Sequence, residues 1–193
     1  MTAAAKLPPL MTVADFLDWP GDGLGTRFEL VEGVLRAMAP GSEAHGTIQS
    51  NLNFFIKRQL DAHRPGCRVV TTPGVQPRVR ARWNFRVPDL GVTRAPSRPG
   101  AVMMPDPVLL VENLSPGNTA ETWENISYYA SLPTVAEILV VHSTQVRAEL
   151  LRRGADGSWP ENPAAIEAGG TITLASIGLD IALAEIYAGT YLA

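Results

Sequence analysis

The stretch that most constrains the fold is Pro107-Val-Leu-Leu-Val111, an apolar run that delivers Glu112. Aliphatic side chains with no polar alternation read as a central strand covered on both faces, which demands helices on either side of a sheet. Ionised glutamate is costly to bury alone, so Glu112 is expected to be paired or to hold a cation. A second apolar strand is read from Val87 to Val92, with Pro88-Asp89 at its entrance. Two carboxylates at the mouths of two apolar strands suit a metal-dependent phosphodiesterase, because hard divalent cations take oxygen ligands.

The remaining chain supplies elements to surround those strands. Thr12 is expected to cap a short helix ending at Asp18, before the breaker Trp19-Pro-Gly. Phe28–Val31 and Val34–Met38, joined by Glu32-Gly33, predict a β-hairpin that carries Glu29 on its first strand. Ser42, His45, Ile48, Leu52, Phe55, Ile56 and Leu60 have the spacing of an amphipathic helix reaching about Asp61, with His45 in its first turns. Cys67–Thr72 and Val75–Val79 predict two strands, the second continuing to Arg82. On such a strand Arg78, Arg80 and Arg82 share one face, which either meets phosphates or is simply solvated. Asn118 is expected to cap a helix, with Glu121 completing a capping box and Trp123, Ile126, Tyr129 and Ala130 turned inward. Ala136–His142, Val146–Arg152 and Ile172–Leu174 read as strands, and Leu183–Tyr187 as a closing helical turn. The pattern predicts α/β or α+β architecture with a mixed sheet, in one domain over 1–193 whose first ten residues are flexible.

Composition narrows the function. With 46% hydrophobic and 18% charged residues the chain is an ordinary globular one. No run approaches the roughly 18–20 apolar residues that cross a bilayer, and the first ten residues lack a signal-peptide core, so a cytoplasmic protein is expected. Cys67 is the single cysteine, and with His45, His63 and His142 scattered a zinc site is disfavoured. No Gly-x-Ser-x-Gly elbow and no phosphate-binding glycine loop occurs. The net charge of -3 conceals a partition: Lys57 to Arg98 holds ten basic residues and two acids, an excess of +8, and the rest carries -11. Lys57 and Arg58, together with Arg78, Arg80 and Arg82, are therefore the candidate nucleic-acid contacts. Lysine occurs only as Lys6 and Lys57.

Pro88-Asp89, Val111-Glu112-Asn-Leu-Ser115 and the Tyr-x-x-Leu-Pro of Tyr129 to Pro133 resemble the Uma family of endonucleases in the PD-(D/E)XK restriction-endonuclease-like superfamily. The likeness extends from Phe28-Glu-Leu-Val-Glu-Gly33, through His45 and its helix, to Leu183-Ala-Glu-Ile-Tyr187. It implies a central mixed sheet flanked by helices, Asp89 and Glu112 as ligands of Mg²⁺ or Mn²⁺, and Glu29 or His45 as the accessory group. It also implies a DNA substrate and a homodimer, since two strands need two sites.

The resemblance also implies a lysine on the helix after Glu112, in an Asp-x-x-x-Lys-x-x-x-Tyr pattern that falls here on Glu121, Asn125 and Tyr129. Asparagine keeps hydrogen-bonding capacity but carries no charge. Three expectations follow. Lys57 or an arginine of the basic stretch restores the charge, or the chain is a slow nuclease. The third is a catalytically silent nuclease fold serving as a nucleic-acid-binding or assembly module.

Overall fold

The computed structural model describes residues 10–193, so the expectation of flexibility for the first residues falls outside the described ones up to residue 9. Six strands form the central sheet in the spatial order β3 (Arg68–Thr71), β4 (Leu90–Thr93), β5 (Pro107–Leu114), β6 (Glu137–His142), β7 (Arg147–Arg152) and β8 (Ala164–Glu167). The aliphatic run is the core of β5, which is paired on both sides. It runs antiparallel to β4 and parallel to β6, the one parallel pair in this sheet. A parallel return needs a crossover, and α3 (Thr119–Tyr129) provides it. The architecture is the expected mixed sheet with helices on both faces.

Strand alternation sorts the side chains into two layers. Leu109 and Val111 of β5, with Leu139 and Val141 of β6, face α2 (Glu43–His63), whose Ile48, Leu52, Ile56 and Leu60 are at most 1% exposed. Leu110 and Leu114, with Ile138 and Val140, face α3 through Ile126 and Tyr129. By the same parity Glu112 belongs to the α3 layer. Truncating a fully buried leucine of α2 such as Leu52 to alanine would cost about 2–5 kcal/mol.

Two hairpins extend this core. β1 (Phe28–Val31) and β2 (Val34–Ala37) close through Glu32 and Gly33, both at positive φ (49° and 81°), as a two-residue turn with matching strand twist requires. β9 (Thr171–Leu174) and β10 (Leu179–Ala182) precede α4 (Leu183–Ile186). Thr12 caps α1 (Val13–Asp18) with Asp15 in a full capping box.

Three local expectations are corrected. Residues 75–82 do not form a strand: only isolated bridges occur at Gly74 and Val75, and Ala81–Trp83 is a 3-10 turn entered from Arg80 at φ 45°. Pro77 cannot donate to a ladder, and the Ser131 hydroxyl accepts the backbone N–H of Arg78 at 3.0 Å. Arg78, Arg80 and Arg82 therefore share no strand face. Asn118 makes no side-chain cap to α3; its Oδ1 instead accepts the Ser115 N–H at 2.7 Å, so the expected box with Glu121 is not formed. β8 and β10 were not foreseen. No helix among the described residues is long and apolar enough to cross a membrane.

Candidate active site

The register between β4 and β5 builds the site. Leu90 lies opposite Val111, so Asp89, one residue before β4, meets the end of β5 where Glu112 stands. The backbone N–H of Asn113 donates to Asp89 Oδ2 at 2.7 Å. Helix α2 approaches the same carboxylate with its first turns: His45 Nε2 lies 2.9 Å from Asp89 Oδ1, and Gln49 donates to the Asp89 carbonyl at 2.7 Å. The Ser42 hydroxyl accepts the His45 N–H at 3.2 Å, and this cap fixes where that turn begins. The Asp89 hydrogen bond holds the His45 imidazole more readily protonated than usual, against the opposing effect of burial.

Glu112 is 6% exposed and lies on the α3 side, where the Tyr129 hydroxyl donates to its Oε1 at 2.6 Å. Burial, reinforced by the nearby charges of Asp89 and Glu29, pushes its carboxyl well above the usual range, while Tyr129 and Asn125 favour the ionised form. Burial and the Glu112 charge likewise push the Tyr129 phenol well above its usual value.

The hairpin closes the third side. Glu29, 4% exposed, accepts the Val87 N–H at 2.7 Å and an Arg36 Nη2 hydrogen at 2.7 Å. Arg36 also donates to Asn125 Oδ1 and to Glu124, each at 3.0 Å, tying β2 to α3. Behind this layer Arg86 is fully buried, stacked 4.3 Å from the centroid of the Tyr128 ring. Its Nη2 donates to Asn84 at 3.0 Å.

Asp89, Glu112, Glu29, His45, Glu121 and Asn125 thus line one open cavity of about 900 Å³, with Tyr129 directly behind Glu112. The five basic candidates are not in its lining. Lys57 pairs with Asp61 at 2.7 Å and lies about 18 Å along α2 from His45. Arg58 stacks on Phe54 and Phe55, and Arg82 on Trp83. Arg80 pairs with Glu32, while Arg78 lines a separate cavity of about 520 Å³ with Arg68 and Arg98. Lys57, expected as one source of the charge missing at Asn125, thus stands outside the cavity that Asn125 lines. Arginine does approach Asn125, but the contact comes from Arg36, outside the basic stretch. Sequence reading missed Arg36, although a signal existed: a two-residue turn at Glu32-Gly33 puts Glu29 and Arg36 directly across from each other.

No group of three or more histidine, cysteine, aspartate or glutamate side chains among the described residues is arranged to hold a metal ion. The donor chemistry nonetheless fits a hard cation. Asp89 and Glu112 offer carboxylate oxygens to one open cavity, and a small divalent ion that keeps several waters needs few protein ligands. Burial and mutual repulsion work against two ionised carboxylates there, and a divalent charge would offset both.

Comparison with known proteins agrees with this architecture. The family model Uma2, described as "Putative restriction endonuclease", matches residues 13–184. The solved structures include a "putative nuclease belonging to DUF820" from Anabaena variabilis, similar in fold with a TM-score of 0.74 at 16% identity. That match covers 92% of this chain and 97% of the other. No curated protein matches.

Proposed function

Because this chain belongs to the Uma2 family, we propose that it is a divalent-metal-dependent endonuclease that hydrolyses phosphodiester bonds in DNA. The observation that carries this reading is the convergence of Asp89 and Glu112, from neighbouring strands, on one open cavity with His45 and Glu29. Asp89 and Glu112 are the ligands assigned to Mg²⁺ or Mn²⁺. When bound, such an ion activates a water and neutralises charge on the phosphoryl oxygens.

The chain's own groups prepare that chemistry. His45 and the Asn113 N–H fix the two oxygens of Asp89, and Tyr129 fixes one oxygen of Glu112, so the carboxylates need little reorganisation. Glu29, which lines the cavity, is the accessory group able to accept a proton from the water, and His45, with Nε2 held against Asp89 and Nδ1 buried, is the accessory group that orients that carboxylate. As the water attacks phosphorus, the bond to the leaving oxygen breaks and that oxygen takes up a proton. Cleaving both strands calls for two sites, hence a homodimer.

Purified protein is expected to nick supercoiled plasmid with Mn²⁺, and Asp89→Ala and Glu112→Ala to reduce nicking to background. Nicking by both variants at the wild-type rate would sink the assignment. Neutral Asn125 favours a second reading, a nucleic-acid-binding module that does not cut. That reading expects DNA binding that weakens steeply as salt rises, with no metal-dependent cleavage.

A further inference from the structure

We propose that Arg36 is the phosphate-contacting cation of this site, an inference that rests on the nuclease reading. The carboxylates lining the cavity are Glu29, Asp89, Glu112 and Glu121. A phosphodiester carries negative charge, and its transition state concentrates charge on the phosphoryl oxygens, so a fixed positive group is needed beside those acids. Lys57, the one lysine among the described residues, is too distant. The arginines of the lining are Arg27 and Arg36. Arg27 is exposed at the rim, held by a 3.4 Å bond to Thr72. Arg86 is wholly buried and is not part of the lining.

Arg36 differs from both. Its side chain is 21% exposed, and three hydrogen bonds fix its fork: to Glu29 at 2.7 Å and to Glu124 and Asn125 at 3.0 Å. A guanidinium has five N–H donors and cannot be deprotonated at working pH. Those three bonds engage one hydrogen on Nη1 and both on Nη2. The Nε–H and the second Nη1 hydrogen have no partner among the described residues. A planar cation held in one orientation, with donors remaining, meets the requirement for preorganised charge stabilisation. Asn125 is the natural second origin for this charge. Its Oδ1 lies 3.0 Å from Arg36 Nη2, so a lysine at 125 would bring an ammonium to the same region.

The test moves the cation. Wild type, Arg36→Met, Arg36→Lys and the double variant Arg36→Met with Asn125→Lys are compared by thermal melting and single-turnover plasmid nicking in Mn²⁺. Binding of a fluorescein-labelled DNA duplex with Ca²⁺ in place of Mn²⁺ is followed across a salt series. Arg36→Met is expected to lose about 10²- to 10³-fold in rate, and the slope of log affinity against log salt to fall by about one. Arg36→Lys and the double variant are expected to regain at least a tenth of the wild-type rate and the lost slope. Wild-type rate and slope in a folded Arg36→Met protein would overturn the inference while leaving the nuclease reading intact. So would a rate loss that neither lysine variant restores although both melt like wild type, since Arg36 would then be only a tie between β2 and α3. A wild type that binds DNA but does not cut overturns the nuclease reading alone, and the slope still decides whether Arg36 meets phosphate. A wild type that neither binds nor cuts overturns both.

Discussion

Single side chains decide whether the two carboxylates are usable, and these positions were unevenly legible in the sequence. Asp89 and Glu112 stood out because a charge adjoining an aliphatic strand needs a reason. His45, Glu29, Asn125 and Tyr129 were found through the family resemblance, and the structure brings them to the same cavity or directly behind it. Arg36 and Gln49 were not singled out, because each acts across a tertiary contact that adjoining residues do not announce. Two outcomes belong to this scale. Tyr129→Phe keeps the ring but removes the donor to Glu112 Oε1, leaving a buried carboxyl without that partner. Urea denaturation should show a loss of about 1–3 kcal/mol. Replacing His45 with asparagine removes the imidazole that orients Asp89 through a 2.9 Å contact. Mn²⁺-dependent nicking should fall about 10- to 100-fold, as for other groups that orient metal ligands. An unchanged rate would remove His45 from the site.

Elements show where local pattern and tertiary context part company. Helix α2 buries one apolar stripe and strands β4 to β7 are apolar because both faces of the sheet are covered, whereas the hairpin β1–β2 was announced by its Glu32-Gly33 turn. The arginine-rich segment after Pro77 alternates on paper yet turns, since proline and the positive φ of Arg80 break the ladder locally. β8 and β10 are four residues each, the first mostly exposed and the second exposed at every other residue, so neither buries enough apolar surface to mark a strand in the sequence. The Glu32 turn links these elements: its carboxylate accepts from Tyr128, Arg80 and Asn84, joining the hairpin to α3 and to the 3-10 turn. Burial opposes its ionisation, but those three donors outweigh it and hold the pKa at about 2. A carboxyl lowered from the usual value of about 4.3 stabilises the fold above that pH, and the contribution is lost as pH falls towards 2. Glu32→Gln should therefore be less stable by about 1 kcal/mol at pH 7, a figure kept small because 30% of the Glu32 side chain meets solvent. Chemical denaturation at pH 7, 4.5 and 2 tests the sign: the gap between wild type and variant must hold to about pH 4.5 and close near pH 2.

At the scale of the whole molecule, the cavity sits where all three layers end. Asp89 and Glu112 come from the sheet, His45 from the helix on one face, and Asn125 and Tyr129 from the helix on the other. Glu112 is buried beside Asp89 and Glu29, and burial together with repulsion from their charges opposes its ionisation. An ion bound there would relieve that repulsion and bind only the folded chain, so stability should track metal concentration. At a hundred times its dissociation constant, Mn²⁺ would stabilise the fold by about 2.7 kcal/mol. For a chain of this size that corresponds to a rise of about 5–10 °C in Tm, reversible with EDTA. Asp89→Asn should lose the rise because its amide is a poorer cation ligand. Lys57→Met, on an exposed pair far along α2, should keep it. An equal rise in Asp89→Asn would mean that the ion binds elsewhere, and the layers would then meet at this cavity for a reason other than holding a metal.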